Sequence, residues 1–505
     1  MGAEPSLISI GEAAWSGLLI VLSWPNLLYP IAGTLLAMCV AVLPGVSGAT
    51  LLALAIPLTF SWEPIPILLL FGALVGGATF MGSVTAILFN IPGAAPNAAT
   101  VLDGYPMSRH GQARTALGCS AASSALGSTV GVAAVMLSIP VVARLIRQVG
   151  PPELLMLSIW GLVSVAVVIR ASLVRGLATA GLGLMVSFVG LDPSTAQERY
   201  TLGTLYLLDG LPLIPVFVGI FAVAEIVDLM ASGRRTIADN PGSVQMGGSL
   251  TEGIGAVLRH RWLFLKSALI GTVVGFVPGL GGTVAAFVAY GEAARSAGPD
   301  GRFGQGDIRG VLAPEAANDA KDGGSLLPVL AFGVPASTGT ALLLAALQIH
   351  GVTPGAELMT GRLELVFVLI WSLFLSNWIT SLLGLSVATP LSRLTRVRTT
   401  RLIPLILVLS ALGAFSYRAR LEDVWVAFGF GALGYFMKRY GWPRIAFVIA
   451  LILGPLFELN LNLSLRLHRL GRIDLWTHPS ILIGTALLVA TVSLPAFRRA
   501  RGRPS

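Results

Sequence analysis

Apolar and polar positions run along this chain in long blocks rather than in the short alternations of a soluble fold. The stretches 27–43, 154–169, 363–391, 424–437 and 481–494 are nearly free of charge. A membrane-spanning helix needs roughly 20 mostly apolar residues, so the pattern predicts about twelve spans and an all-α polytopic membrane protein. One long polar stretch, 232–261, interrupts the pattern near the middle. It separates a first half, 1–231, from a second, 262–391, and residues 392–505 add C-terminal spans and a basic tail.

Composition agrees with a lipid environment. Hydrophobic residues make up 55% of the 505 and charged residues only 11%, against about 25% charged in a soluble domain. The net charge of +9 sits in short basic clusters between apolar stretches, which fits the positive-inside rule and not a nucleic-acid surface. The tail and the loops at 393–401 and 438–444 hold eleven basic residues and the alternate loops five, which places the C-terminus in the cytoplasm. Arg109 is the first basic residue, after Glu4, Glu12 and Glu63. The N-terminus therefore lacks the basic start of a secretory signal, and Met1 is expected in the mature chain. Cys39 and Cys119 read as small packing residues, the five histidines have no metal-ligand spacing, and no resident cofactor is expected.

The two halves repeat two phrases in the same order. "VLPGVSGAT" (42–50) and "LFNIPGAAPNAAT" (88–100) precede the polar stretch; "FVPGLGGTV" (276–284) and "AFGVPASTGTA" (331–341) follow it. The offsets are 234 and 243 residues, which points to an internal duplication with helices broken at corresponding places. Proline removes a backbone donor and cannot continue a helix. Unwound backbone at membrane depth is tolerated only beside a cavity or buried in protein, where its freed groups can hold ions or carboxylates. Asn90, Pro92, Gly93, Asn97 and Thr100 in the first break, with Gly333, Pro335, Ser337, Thr338 and Thr340 in the second, are the candidate substrate-binding residues. The two breaks are expected to meet near the midplane.

The charge-bearing segment is "VLAPEAANDAKDGGSLLPVLAFGVPAS" (311–337). Pro314 suits a first helical turn, and Gly323–Gly324 suit a stop. At helical spacing Glu315 and Asp319 share a face, Asn318 and Asp322 a neighbouring one, and Lys321 can neutralise an acid. Hard cations favour carboxylate and amide oxygens, so Glu315, Asn318 and Asp319, together with Pro44, Gly45, Ser47, Pro278 and Gly279, are the candidate ion-binding residues. Asn318 and Asp319 are the candidate ligands of a sodium ion. A solvated, capped surface helix is the alternative reading.

These motifs, with "ILFNIPGAAPNAATVLDGYPMSRHG" (87–111), "VPGLGGTVAAFVAY" (277–290) and "FGQGDIRGVLAPEAAN" (303–318), resemble the large membrane subunit of tripartite tricarboxylate transporters, the TctA family. The resemblance covers nearly the whole length. It implies an elevator-type carrier in a bacterial inner membrane, a carboxylate substrate and a sodium or proton gradient as driving force. It also implies two partners, a small TctB-like membrane subunit and a TctC-like periplasmic solute-binding protein. The chain departs from the family's "ANNAAAGG" with Asn318-Asp319-Ala320-Lys321-Asp322, and from "GIPG" with Ala336 in the last place. An ATP-driven pump is not expected, since none of Lys266, Lys321 and Lys438 lies in a phosphate-binding loop. Neither is a membrane protease: HExxH is missing, and the serines of "GCSAASSALGS" (118–128) read as close helix packing. A channel or single-component carrier for small organic anions is the remaining alternative.

Overall fold

The computed structural model describes residues 7–41, 48–168, 173–192, 195–232, 246–298, 301–391 and 399–500. Apart from one two-stranded antiparallel pairing, Gly190–Leu191 with Glu198–Arg199, and short helical turns, the regular elements among these residues are α-helices joined by loops. Among the described residues, five helices are long and apolar enough to cross a membrane: Pro64–Phe89, Ala113–Gln148, Leu213–Ala231, Leu363–Val387 and Arg444–Arg469. Seven shorter apolar helices accompany them. Length and composition thus identify five spans where the hydropathy pattern predicts about twelve. Breaks divide several of the apolar stretches into pieces too short to cross alone.

Ten helices carry the duplicated architecture. The first repeat consists of α1 (Leu28–Ala41), α2 (Gly48–Leu58), α3 (Pro64–Phe89), α4 (Asn97–Arg109) and α5 (Ala113–Leu145). The second consists of α6 (Arg261–Phe276), α7 (Gly281–Ala297), α8 (Arg309–Phe332), α9 (Thr338–Ile349) and α10 (Leu363–Leu391). Within the polar stretch that joins them, Leu250–Arg259 is helical and packs on α5. The offset of 243 is kept in detail. α3 ends at Phe89 and α8 at Phe332, and each is followed by a left-handed residue, Asn90 at φ 58° and Gly333 at φ 65°. The amides one residue further on also match, Ile91 N–H donating to the Thr85 carbonyl and Val334 N–H to that of Pro328.

The central helices of the two halves run in opposite directions. Ser83 of α3 donates to Glu315 of α8 (2.7 Å), and Thr79 donates to Asp322 (3.2 Å). Contacts advance along one helix as they retreat along the other, so α3 and α8 cross antiparallel. Thr79 and Asp322 are themselves equivalent by the offset of 243, and they meet at the crossing.

Each central helix is flanked by one helix of its own repeat and one of the other: α3 by α1 and α10, α8 by α6 and α5. Small residues permit the approach. Ser372 and Ser376 of α10 donate to the Leu69 and Ala73 carbonyls of α3 at 2.5 and 2.8 Å. Around α8 the contacts are backbone to backbone. A Cβ on Gly127 would stand 2.5 Å from the Ala316 carbonyl oxygen, and one on Gly275 2.5 Å from that of Lys321. Gly131 and Gly271 are tighter still against Ala320 and Ala317. The largest apolar core lies beside this crossing and includes Phe71, Phe217 and Phe367.

The expectation that Gly323–Gly324 stop the charged helix is corrected. α8 runs through both to Phe332. The two glycines instead face the backbones of Gly131 and Thr272, where a side chain would collide. Helix continuity survives because packing on both sides outweighs the roughly 1 kcal/mol that each glycine costs a helix. Gly271→Val should therefore unseat α8, lowering stability by at least ~1–3 kcal/mol. Gly255→Ala, at a position open on all sides, should leave the melting midpoint in detergent unchanged or slightly higher. Equal midpoints for both variants would refute the packing account.

Candidate functional site

α8 carries its charges inside the protein. Glu315 is 1% exposed, Asp319 0%, Asn318 3%, Lys321 8% and Asp322 4%. The alternative of a solvated surface helix is thereby excluded.

Glu315 is held by four hydroxyls from three helices. Oε1 accepts from Ser83 of α3 at 2.7 Å and from Thr100 of α4; Oε2 accepts from Ser120 at 2.7 Å and Ser124 at 3.3 Å, both of α5. Hydroxyl donors throughout suit a carboxylate, which only accepts. One turn on, Asp319 is fully buried, and neither of its oxygens has a hydrogen-bond partner among the described residues. The Ser128 hydroxyl, one turn beyond Ser124 on α5, is likewise buried and unpartnered. Lys321 donates to Asp322, which also accepts from Thr79.

The first break is built into this cluster. Its chain runs back along α3, with the Gly93 amide donating to Gly82 at 3.2 Å. Asn97 then opens α4. Its Oδ1 accepts from the Ala94 amide at 3.0 Å, and its Nδ2 donates to Ser83 at 2.7 Å, the serine that holds Glu315. Thr100, one turn later, reaches Glu315 directly. Asn90 forms the left-handed cap of α3, and Pro92 is exposed.

The second break is organised differently. Ser337 caps α9, and Thr340 completes a capping box: its Oγ1 accepts from the amides of Ala336 and Ser337 at 3.0 and 2.8 Å. Thr340 corresponds to Asn97, and the bond from Ser337 matches the one from Ala94. The polar groups of Ser337 and Thr340 thus serve the helix start. Gly333 and Asn318 are separated by fifteen residues of sequence, about 22 Å along the α8 axis. Pro335 is buried, and Thr338 is partly exposed beside α2, where Gly339 approaches Leu52. Of the ten candidate substrate residues, Asn97 and Thr100 join the α8 cluster through hydrogen bonds.

The glycine turn "PGLGG" joins the site from the other repeat. Gly279 and Gly281 adopt φ of 81° and 63°, which side chains disfavour. Gly282 packs against Asn318, Lys321 and Pro96 of the first break. Pro278 is buried beneath this turn. Pro44, Gly45 and Ser47, in the matching turn of the first repeat, lie outside the described residues.

Several participants escape the sequence reading. Ser120 and Ser124 belong to a stretch read as packing, although their four-residue spacing puts both hydroxyls on one helix face. Asp103 is fully buried and accepts from Tyr290 and from the amides of Gly306 and Asp307, each at 2.9 Å. It fastens α4 to the loop that leads into α8. In that loop burial pushes Asp307 upward, but Arg309 and the amides of Arg309 and Arg302 hold it below the usual aspartate range.

An all-α membrane protein with a charged helix buried at its centre is the class that this fold and site define. The chain belongs to the tripartite tricarboxylate transporter TctA family, whose model matches residues 27–449. Two relatives come from Agrobacterium vitis. An uncharacterized 52.8 kDa protein in the TAR-I ttuC' 3' region is 30% identical over 95% of both chains. An uncharacterized protein in the TAR-II ttuC' 3' region is 29% identical over 46% of this chain and 97% of its own. No solved structure matches significantly.

Removing the Glu315 carboxylate strands four buried hydroxyls at once. Glu315→Ala should lower stability by at least ~1–3 kcal/mol, the cost of an unsatisfied buried group. Ser120→Ala should cost less, about 1 kcal/mol. Thermal melts in detergent that rank Ser120→Ala as the more damaging would contradict the assigned bonding.

Proposed function

We propose that this chain is the large permease subunit of a binding-protein-dependent secondary transporter that imports tri- or dicarboxylates. A sodium or proton gradient drives the import. Its partners are a small TctB-like membrane subunit and a TctC-like periplasmic solute-binding protein, and its location is the bacterial inner membrane. The observation that carries this reading is the burial of α8's charges at the crossing of two inverted repeats. Ionisable groups within a membrane bundle are costly and mark substrate or ion pathways.

The equivalent positions of α3 support it further. Gly72, Val75, Gly76, Ala78 and Thr79 stand where α8 has Glu315, Asn318, Asp319, Lys321 and Asp322. The same backbone is stable without charge, so the charges serve something besides the fold. Three acids face one base, an excess of negative charge that an incoming cation or proton relieves. Asn318 and Asp319 are the proposed ligands of that ion, and the unwound first break lines the substrate's route. Alternating access follows from inverted repeats rocking about a site near their axis, and elevator-type movement is the form the family suggests.

The test is uptake of labelled citrate and succinate by proteoliposomes holding the chain and its small membrane partner. Periplasmic binding proteins are supplied as a panel, under a sodium gradient, a proton gradient or none. Accumulation that needs both a gradient and a binding protein is expected. Equally fast flux without either would establish the channel or single-component reading instead.

A further inference from the structure

We infer that Asp319, Ser128 and Ser381 form the seat of the coupling cation, and that this ion is sodium, held bare of water between α5, α8 and α10. This deepens the transport reading above and rests on it.

Every acid of the α8 cluster but one has partners of its own. Glu315 is held by four hydroxyls, and Asp322 accepts from Lys321 and Thr79. Asp319 is fully buried, and neither of its oxygens has a hydrogen-bond partner among the described residues. An unpaired buried charge is among the costliest groups a membrane bundle can hold. Asp319 is therefore the place in the cluster where a positive charge is wanting.

Two hydroxyls share its condition. Ser128 Oγ of α5 and Ser381 Oγ of α10 are buried, at 0% and 3% exposure, and unpartnered among the described residues. Their chain neighbours behave otherwise. Thr129 donates to the Ala125 carbonyl and Thr380 to that of Ser376, both at 2.8 Å, the usual recourse of a hydroxyl within a helix.

Helix register brings the three groups to one level. α5 and α8 run parallel, with Gly127 against Ala316 and Gly131 against Ala320. Glu315 is bracketed by Ser120 and Ser124, so Asp319, one turn on, is bracketed by Ser124 and Ser128. α10 parallels α3 through the Ser372–Leu69 and Ser376–Ala73 bonds, and hence runs antiparallel to α5. The Trp378 indole N–H donates to Thr129 at 3.1 Å. The step from Trp378 to Ser381 then leads back along α5 to the level of Asp319.

The donor set selects the ion. One carboxylate and two neutral hydroxyls are all oxygen and carry a single negative charge, which suits a hard monovalent cation. A proton on Asp319 would cancel the charge but leave both hydroxyls unused. Backbone contact at Gly127 and Gly131, on either side of this level, holds the helices too close for an ion with its water shell. The first repeat serves as a control. Gly76 stands where α8 has Asp319, and its would-be Cβ lies 2.9 Å from the Asn377 Nδ2, which donates to the Leu373 carbonyl at 3.0 Å. The equivalent place is filled there by a neutral amide with a partner of its own.

The experiment follows the purified full chain in detergent as sodium replaces choline at constant ionic strength and pH, with potassium as the control ion. Equilibrium binding of labelled sodium and the melting midpoint are both read. Wild type should bind sodium and melt higher in it than in choline or potassium, since a ligand of the folded state stabilises that state. Asp319→Asn should abolish binding and melt in choline at or above wild type, because it removes the unpaired charge. Ser128→Ala and Ser381→Ala should each weaken sodium binding about tenfold. Ser138→Ala, whose hydroxyl already donates to Val135 at 2.7 Å, should leave it unchanged. Undiminished sodium affinity in both Ser128→Ala and Ser381→Ala would overturn the three-helix seat, and folded wild type that binds no sodium would overturn the inference outright. In the three-component uptake assay, accumulation driven by a proton gradient in sodium-free medium would refute sodium as the ion and leave the transport reading intact. Sodium binding by a chain that transports nothing with any binding protein would support the seat and count against the transport reading itself.

Discussion

Everything at the centre of this molecule depends on letting a charged helix come within backbone contact of its neighbours. α8 lies against Gly127 and Gly131 on one side and Gly271 and Gly275 on the other, with carbonyls where side chains would normally stand. In lipid there is no hydrophobic force between helices, and association comes from close packing and interhelical hydrogen bonds. The glycines supply the first, and the hydroxyls gathered on Glu315 supply the second. With larger residues at these positions α8 would stand off. Its carboxylates would then face either lipid or a poorly packed gap, both costly for a charge.

The same packing explains the division of labour between the breaks. The first break is bonded to α8 through Asn97, Ser83 and Thr100, so movement of one is felt by the other. The second is closed upon itself by the Ser337–Thr340 box. Two segments with matched backbone geometry thus differ in their connections. One is part of a polar network, and the other is a well-capped helix start against an apolar neighbour.

The duplication was legible in the sequence because glycine and proline mark backbone shape directly. The left-handed caps at Asn90 and Gly333 and the turn at Gly279 and Gly281 stand where the repeated phrases put them. The charged motif was legible as a cluster, but its surroundings were not. Nothing local shows that Ser120 and Ser124, nearly 200 residues upstream, point at Glu315. Gly323–Gly324 misled for the same reason, since a glycine pair that would end an isolated helix is here required by helices distant in sequence. Short broken segments also defeat span counting, because hydropathy measures apolar length and not the continuity of the helix.

The meeting of Thr79 with Asp322 carries a lesson about descent. A residue lying on the axis of an inverted repeat touches its own counterpart. While two halves remain alike, any side chain introduced there appears twice, face to face. An aspartate would confront an aspartate in a low dielectric, and the two could not both ionise. Threonine opposite aspartate is therefore a pairing that only diverged halves can hold. The asymmetry lets one charge stand on the axis, where two like halves would have to share a single proton between a pair of acids.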